Sequence, residues 1–367
     1  MIECPQPDLL DDAEQCCAVP AFEPPPWLRG AHAQTIAGRY LWNGDGRLAS
    51  ERHELALEDG DRLCVLESTL GRWSPGDPVA ILVHGLASCA SAPYVVRLSR
   101  RLLELGVGVV RMNLRNAGDG FGMARGIYHA GRSDDLRVVV AWSAGRAPGS
   151  PLGLIGFSLG GNLVLKLAAE AAESPVPGLD CVIAANPPID LAASARTVGR
   201  PENRVYDWNF ARWLRREVAR LHRAFPELGE PDLDGVSSVY EFDDRYTAPR
   251  NGFSSADDYY ERSSAAPLIP RIELPGLVIH SEDDPFVPAD PFRRAWFPDP
   301  LRLELVRHGG HLGYVSRHRW LGDRRWLDAR LAAWLAARWG LAATDRDHPW
   351  LSATRGRANP GASRSHA

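Results

Sequence analysis

Three side chains in this sequence have the types and the order that nucleophilic acyl chemistry requires. Ser158 stands in Gly156-Phe157-Ser158-Leu159-Gly160, followed directly by Gly161-Asn162-Leu163. A serine hydroxyl attacks a carbonyl poorly unless a base removes its proton, and an imidazole serves best when a carboxylate fixes its tautomer. Both partners follow downstream. Glu282, Asp283 and Asp284 come after an expected strand at 277–280, and His308 and His311 after another at 301–306. The steps from Ser158 to Asp284 and from Asp284 to His311 are 126 and 27 residues. The first has room for a strand, an insertion and a second strand; the second holds one crossover and a strand.

Adjacent carboxylates cannot both face one imidazole. Asp284 is favoured because Pro285-Phe286-Val287-Pro288 behind it forms a turn that can direct it inward. His311 is favoured over His308 because Gly309-Gly310 give its loop the freedom to reach the strand ends. His84 follows an early strand in His84-Gly85-Leu86 and reads as a hydrogen-bonder that shapes that loop. His32 has no carboxylate or nucleophile near it in sequence and reads as structural.

Positioning Ser158 requires a strand, a sharp turn and a helix. The apolar 152–155 and the alanine-rich amphipathic run to about residue 173 supply the first and last. At 156 and 160 a Cβ would crowd the turn, so glycine is needed there. The helix behind Ser158 aims free N–H groups and its positive end at a developing oxyanion. The backbone N–H groups of Leu86 and Leu159 are the expected oxyanion donors.

Around these residues the chain alternates. Residues 51–58 and 62–67 flank Asp59-Gly60-Asp61 as a hairpin. Buried strands are expected at 79–83 and 107–112, further strands at 152–156, 181–185, 277–281 and 301–306, and helices at 94–105, 134–142 and 320–339. This predicts an α/β fold with a mostly parallel sheet covered on both faces, the candidate residues all lying beyond carboxyl ends of strands. The aromatic and arginine-rich 189–267 reads as a helical cap with exposed aromatics. Prolines at 24–26 favour an extended segment, held to the body by Trp27, Ile36, Tyr40 and Trp42. Residues 1–20 read as an irregular leader, 21–343 as the catalytic domain and 344–367 as a disordered tail.

Composition narrows the class. The chain has 367 residues, 45% hydrophobic, enough for one large core. Its net charge of −4 and lack of a basic block argue against nucleic acid. Lys166 is the only lysine, a bias that reads as genome composition. The six cysteines follow no disulfide or zinc spacing and the histidines no metal motif, so neither metal nor cofactor is expected. No secretory signal or run of about 18 apolar residues is evident, and a cytoplasmic protein is expected.

Further motifs run almost end to end: Trp27-Leu28 with His32-Ala-Gln34-Thr35, His84-Gly85-Leu86 with Ser91-Ala-Pro-Tyr94, Asn113-Leu-Arg115, Tyr128-His129-Ala-Gly131, Glu241-Phe-Asp243, Asp258-Tyr-Tyr260, Asp283-Asp284-Pro-Phe and Gly309-Gly-His311-Leu-Gly313. Together with the serine motif they resemble the α/β-hydrolases of the bacterial YheT type and their eukaryotic ABHD-type relatives. The resemblance implies an α/β-hydrolase fold, with Ser158, Asp284 and His311 at the triad positions. It also implies hydrolysis of carboxylic esters, including short-chain esters and acylglycerols; some eukaryotic relatives act on phospholipids or pass acyl groups to alcohols. Two departures stand out: Asn116-Ala117 replaces a more glycine-rich loop, and the membrane anchor of the animal relatives is missing. An acyltransferase with an alcohol acceptor and a non-catalytic binding module on the same fold are the alternative expectations. Peripheral contact of the cap with lipid stays open.

Overall fold

The apolar runs of the sequence pair side by side. β1 (Glu51–Ala56) and β2 (Arg62–Ser68) form the expected antiparallel hairpin, and β2 pairs antiparallel with β4 (Gly108–Asn113). From there every neighbour is parallel, through β3 (Val79–Val83), β5 (Leu152–Phe157), β6 (Leu179–Ala185), β7 (Gly276–Ser281) and β8 (Leu301–Val306). The order across the sheet is β1-β2-β4-β3-β5-β6-β7-β8. The computed structural model describes residues 19–41, 48–71, 73–320 and 323–341. Nearly all of the expected leader, the tail 344–367, Trp42, Cys4, Cys16 and Cys17 lie outside the described residues.

A sheet covered on both faces needs apolar residues at successive positions, and the central strands have them. On β3, Val79, Ile81 and Val83 join the core on one face, with residues of helices Ser133–Arg146 and Leu159–Glu170. Ala80 and Leu82 join the core on the other, with helices Pro93–Glu104 and Trp326–Arg338. Each fully buried Val, Leu or Ile contributes about 1.5–3 kcal/mol, so the strand ends are held by the most stable part of the molecule.

Between β6 and β7 the chain leaves the sheet in a helical insertion, with helices Leu191–Val198, Arg204–Ala224, Val239–Phe242 and Ala256–Ser263 and a π-turn at Asp243–Thr247. Its aromatics correct the expectation of exposure. Phe242, Tyr246, Tyr259 and Tyr260 are buried in two small cores that the insertion shares with Ile127 and Ala130 of the loop after β4, while Trp208 and Tyr240 are exposed.

Two other expectations are corrected. The segment after the prolines is not extended but a helix, Ala31–Tyr40, and Trp27, Ile36 and Tyr40 are exposed instead of anchoring it. Its inward face is Gln34 and Ala37; the Gln34 amide donates to Leu28 O (2.7 Å) and Val315 O (3.1 Å) and accepts from Val315 N (2.8 Å). The closing helix begins at Trp326, not at 320, because β9 (Val315–Trp320) and β10 (Asp323–Arg325) pair antiparallel first. Among the described residues no helix is long and apolar enough to cross a membrane.

Candidate active site

Ser158 occupies the turn between β5 and the Leu159–Glu170 helix with φ 52° and ψ −124°, a conformation that costs a non-glycine residue of order 1–3 kcal/mol. The flanks explain why the turn can exist. A Cβ on Gly156 would lie 2.2 Å from Gly160 O, and one on Gly160 would lie 2.5 Å from the carbonyls of Val83 and His84. The loop after β3 comes equally close: a Cβ on Gly85 would stand 2.9 Å from Ser158 Cβ. The next residue in that loop is Leu86.

Three loops at the carboxyl end of the sheet meet here. His311 Nε2 lies 2.9 Å from Ser158 Oγ, and His311 Nδ1 lies 2.7 Å from Asp284 Oδ2. A carboxylate accepts, so Nδ1 carries the proton and Nε2 is left to accept from the serine hydroxyl. Asp284 is pinned from both sides: Oδ1 accepts from Phe286 N (2.8 Å) and Val287 N (3.1 Å), and Oδ2 also accepts from the Asn186 amide (2.7 Å). Burial alone would raise this carboxyl, but the charge and hydrogen bond of His311 and the Asn186 bond hold it below its ordinary value. It is therefore an anion when the imidazole needs one.

The competing residues go elsewhere. The Asp283 carboxylate accepts from Gly310 N (2.9 Å) and Ser281 Oγ, which ties down the glycine turn before His311. His308, partly exposed, lies 3.5 Å from Asp283 and does not reach the serine. His84 is fully buried; it accepts at Nε2 from Leu114 N (3.1 Å) and donates from Nδ1 to Gly85 O (2.8 Å). Burial pushes it down to about 4, so it is neutral at neutral pH and braces the loop, as the sequence suggests. His32 stacks on Tyr206 with ring centroids 5.6 Å apart.

For the oxyanion donors, the relevant fact is which N–H groups are already used. Gly85 N donates to Tyr94 OH (3.1 Å) and Ala87 N to Tyr128 OH (3.0 Å). Gly161 N and Asn162 N donate to Ser158 O. Leu86 N, between the first two, and Leu159 N, in the first helical turn, have no hydrogen-bond partner among the described residues. Both adjoin the serine through Gly85 and through the chain itself.

Several residues that position the site escape sequence reasoning. Asn186, at the end of β6 with φ 46°, bonds Asp284 and Gly310 O (3.2 Å) while accepting from the buried Tyr314 hydroxyl (2.8 Å). Thr35 Oγ1 accepts from His311 N (2.9 Å), so the Ala31–Tyr40 helix fastens the histidine loop directly. A polar residue at the carboxyl end of a buried strand was the available signal for Asn186; Thr35, 276 residues from its partner, gives none. Aromatic rings wall one side: Phe286 packs on His311 (5.0 Å), and Tyr206 (4.8 Å) and Phe210 (5.7 Å) of the insertion pack on Phe286. Asn116, a departure from the expected loop, adopts φ 60° as a glycine would, its amide donating to Ala124 O and Gly126 O (2.8 Å each).

Comparison with known proteins agrees with this fold. The sequence profile of the alpha/beta hydrolase fold matches residues 78–317. YheT of Escherichia coli, which carries a provisional esterase name, is 30% identical over 88% of this chain and 95% of its own. A monoacylglycerol lipase of Saccharomyces cerevisiae is 28% identical over 70% of this chain, which spans 59% of that longer protein. Among solved structures, the alpha/beta hydrolase GrgF of a Penicillium species superposes with a TM-score of 0.54 at 21% identity, covering 80% of this chain and all (100%) of that one. The sheet order, the turn at Ser158 and these matches together establish that the chain belongs to the α/β-hydrolase family.

Proposed function

We propose that this protein is a serine hydrolase of carboxylic esters. The observation that carries the proposal is the unbroken hydrogen-bonded line from Ser158 through His311 to Asp284 at the mouth of three strand-end loops. In this reading Ser158 Oγ attacks the ester carbonyl as His311 Nε2 takes its proton. The tetrahedral oxyanion is held by the N–H groups of Leu86 and Leu159. His311 then returns the proton to the leaving alcohol, and the acyl-enzyme remains. Water, deprotonated by the same nitrogen, attacks the acyl carbonyl; His311 then returns that proton to Ser158 Oγ as the acid leaves. Asp284 keeps Nδ1 protonated and stabilises the imidazolium that forms in each half-reaction. The proposed chemistry uses no cofactor.

The insertion, taken as a cap over 189–267, contributes Tyr206 and Phe210 to an aromatic wall beside His311. Such a wall suits a short or medium acyl chain, and the yeast relative's name supports acylglycerol esters as a substrate class. A series of p-nitrophenyl esters from acetate to palmitate, given to the full chain and to Ser158→Ala, tests the proposal. Hydrolysis that peaks at short or medium length and vanishes in the variant is expected. Hydrolysis unaffected by the substitution would refute it. Added ethanol, with the ethyl ester measured, reports whether an alcohol competes with water at the acyl-enzyme.

A further inference from the structure

We propose that the face made by the Ala31–Tyr40 helix and the first turns of the Arg204–Ala224 helix docks on an anionic lipid surface. These two elements meet where His32 stacks on Tyr206, and the same line of rings continues through Phe286 to His311. The face therefore adjoins the mouth of the site.

Its large apolar side chains are turned to solvent. Ile36 is 50% exposed, Tyr40 74%, Val205 70% and Trp208 49%. On the first helix His32, Ile36 and Tyr40 recur every fourth residue, opposite the buried Gln34 and Ala37, so they form one stripe. On the second, Val205 and Trp208 are three residues apart on the exposed side, while Asp207 between them turns inward and accepts from Val239 N (2.7 Å). Aromatic and branched apolar groups shown together to solvent mark an interaction surface more often than a solvated one.

Charge selects the occupant. From Pro24 to Leu41 the chain carries Arg29 and Arg39 and no acidic residue. Along the second helix Arg204, Arg212 and Arg216 are exposed, and Glu202 precedes the helix. The whole protein is acidic, at −4, so this basic face stands against its background. The Arg212 guanidinium lies over the Trp208 ring (5.2 Å) and that of Arg39 over Tyr40 (5.9 Å). That pairing suits a bilayer boundary, with rings at the acyl edge and guanidiniums at the phosphates. A two-fold pairing of this face with itself would instead bring arginines together.

The test is co-sedimentation of the full chain with vesicles, and its readout does not depend on ester hydrolysis. Vesicles of phosphatidylcholine alone are compared with phosphatidylcholine and phosphatidylglycerol at about three to one, in low and high salt. Binding to the mixed vesicles is expected, weakened by salt and weaker on phosphatidylcholine alone. The pairs Ile36→Ser with Tyr40→Ser and Val205→Ser with Trp208→Ser should each lower it about tenfold or more, with the melting temperature and hydrolysis of a soluble ester retained. Absent binding to mixed vesicles in low salt, or equal binding by the variants, would overturn the proposal. So would a concentration-dependent dimer that the same substitutions abolish, which would assign the face to a second copy of the chain.

Discussion

Replacing Asn186 by alanine removes three hydrogen bonds at once: those to Asp284 Oδ2 and Gly310 O, and the one received from the Tyr314 hydroxyl. The first is charge-assisted, a class worth about 1.5–3 kcal/mol. Asp284 keeps His311 Nδ1, Phe286 N and Val287 N, so its carboxylate stays in place with one fewer brace. If about half of the lost interaction is felt in the transition state, the barrier rises by about 1.1 kcal/mol and kcat/KM falls about sixfold, with KM little changed. Stability falls as well, because the buried Tyr314 hydroxyl loses its acceptor at about 1–3 kcal/mol and alanine tolerates φ 46° worse than asparagine. The assay is hydrolysis of a short p-nitrophenyl ester across pH, beside urea denaturation. With one bond to its charged form lost, the Asp284 carboxyl should rise from its lowered value. In the Asn186→Ala background, Tyr314→Phe should cost far less than in the parent, since the two act through one bond. Unchanged kcat/KM, or a Tyr314→Phe cost as large in the Asn186→Ala background as in the parent, would refute this reasoning.

Gly85→Ala should act on the reaction more than on folding. Its Cβ would press on Ser158 Cβ from 2.9 Å and on Phe157 O from 3.2 Å, and a displaced nucleophile costs about a hundredfold in kcat when the shift nears an ångström. Steady-state kinetics beside a melting curve separates the two effects. Stability should fall as pH drops from about 6.5 towards 4. His84 and His280 are pushed down to about 4, and His129 to about 3, chiefly by burial, so the unfolded chain takes up protons there that the folded one refuses. Buried Asp243, pushed up to about 6, contributes with the opposite sign but is one group against three. Thermal melts across that window check the slope, and Asp243→Asn should steepen it.

The sheet was readable because strands buried on both faces are unbroken apolar runs, and the turn glycines at 156 and 160 answer to close contacts that leave no alternative residue. The serine and acid loops were readable because each follows such a strand, and the histidine loop because it follows the alternating strand Leu301–Val306. Asp284 could be preferred to Asp283 from the proline turn behind it, and the structure brings Asp284 to His311. What escaped notice is held by polar contacts without periodicity. The Ala31–Tyr40 helix buries a glutamine as its inner anchor, which no apolar pattern announces. The β9–β10 pair is built largely from arginine and polar residues, with the buried Arg325 donating to Gly38 O (2.9 Å), and its sequence imitates a helix start. The insertion's aromatics looked exposed in sequence because the small cores that bury them draw on segments far apart in the chain.

The most direct test of the central claim is covalent labelling with an active-site fluorophosphonate, read by intact mass and peptide mapping. The account predicts one adduct per chain, on Ser158, absent in Ser158→Ala and strongly slowed in His311→Ala, where no base remains to take the serine proton. A folded protein that takes up no label at Ser158, or labels equally without His311, would contradict it.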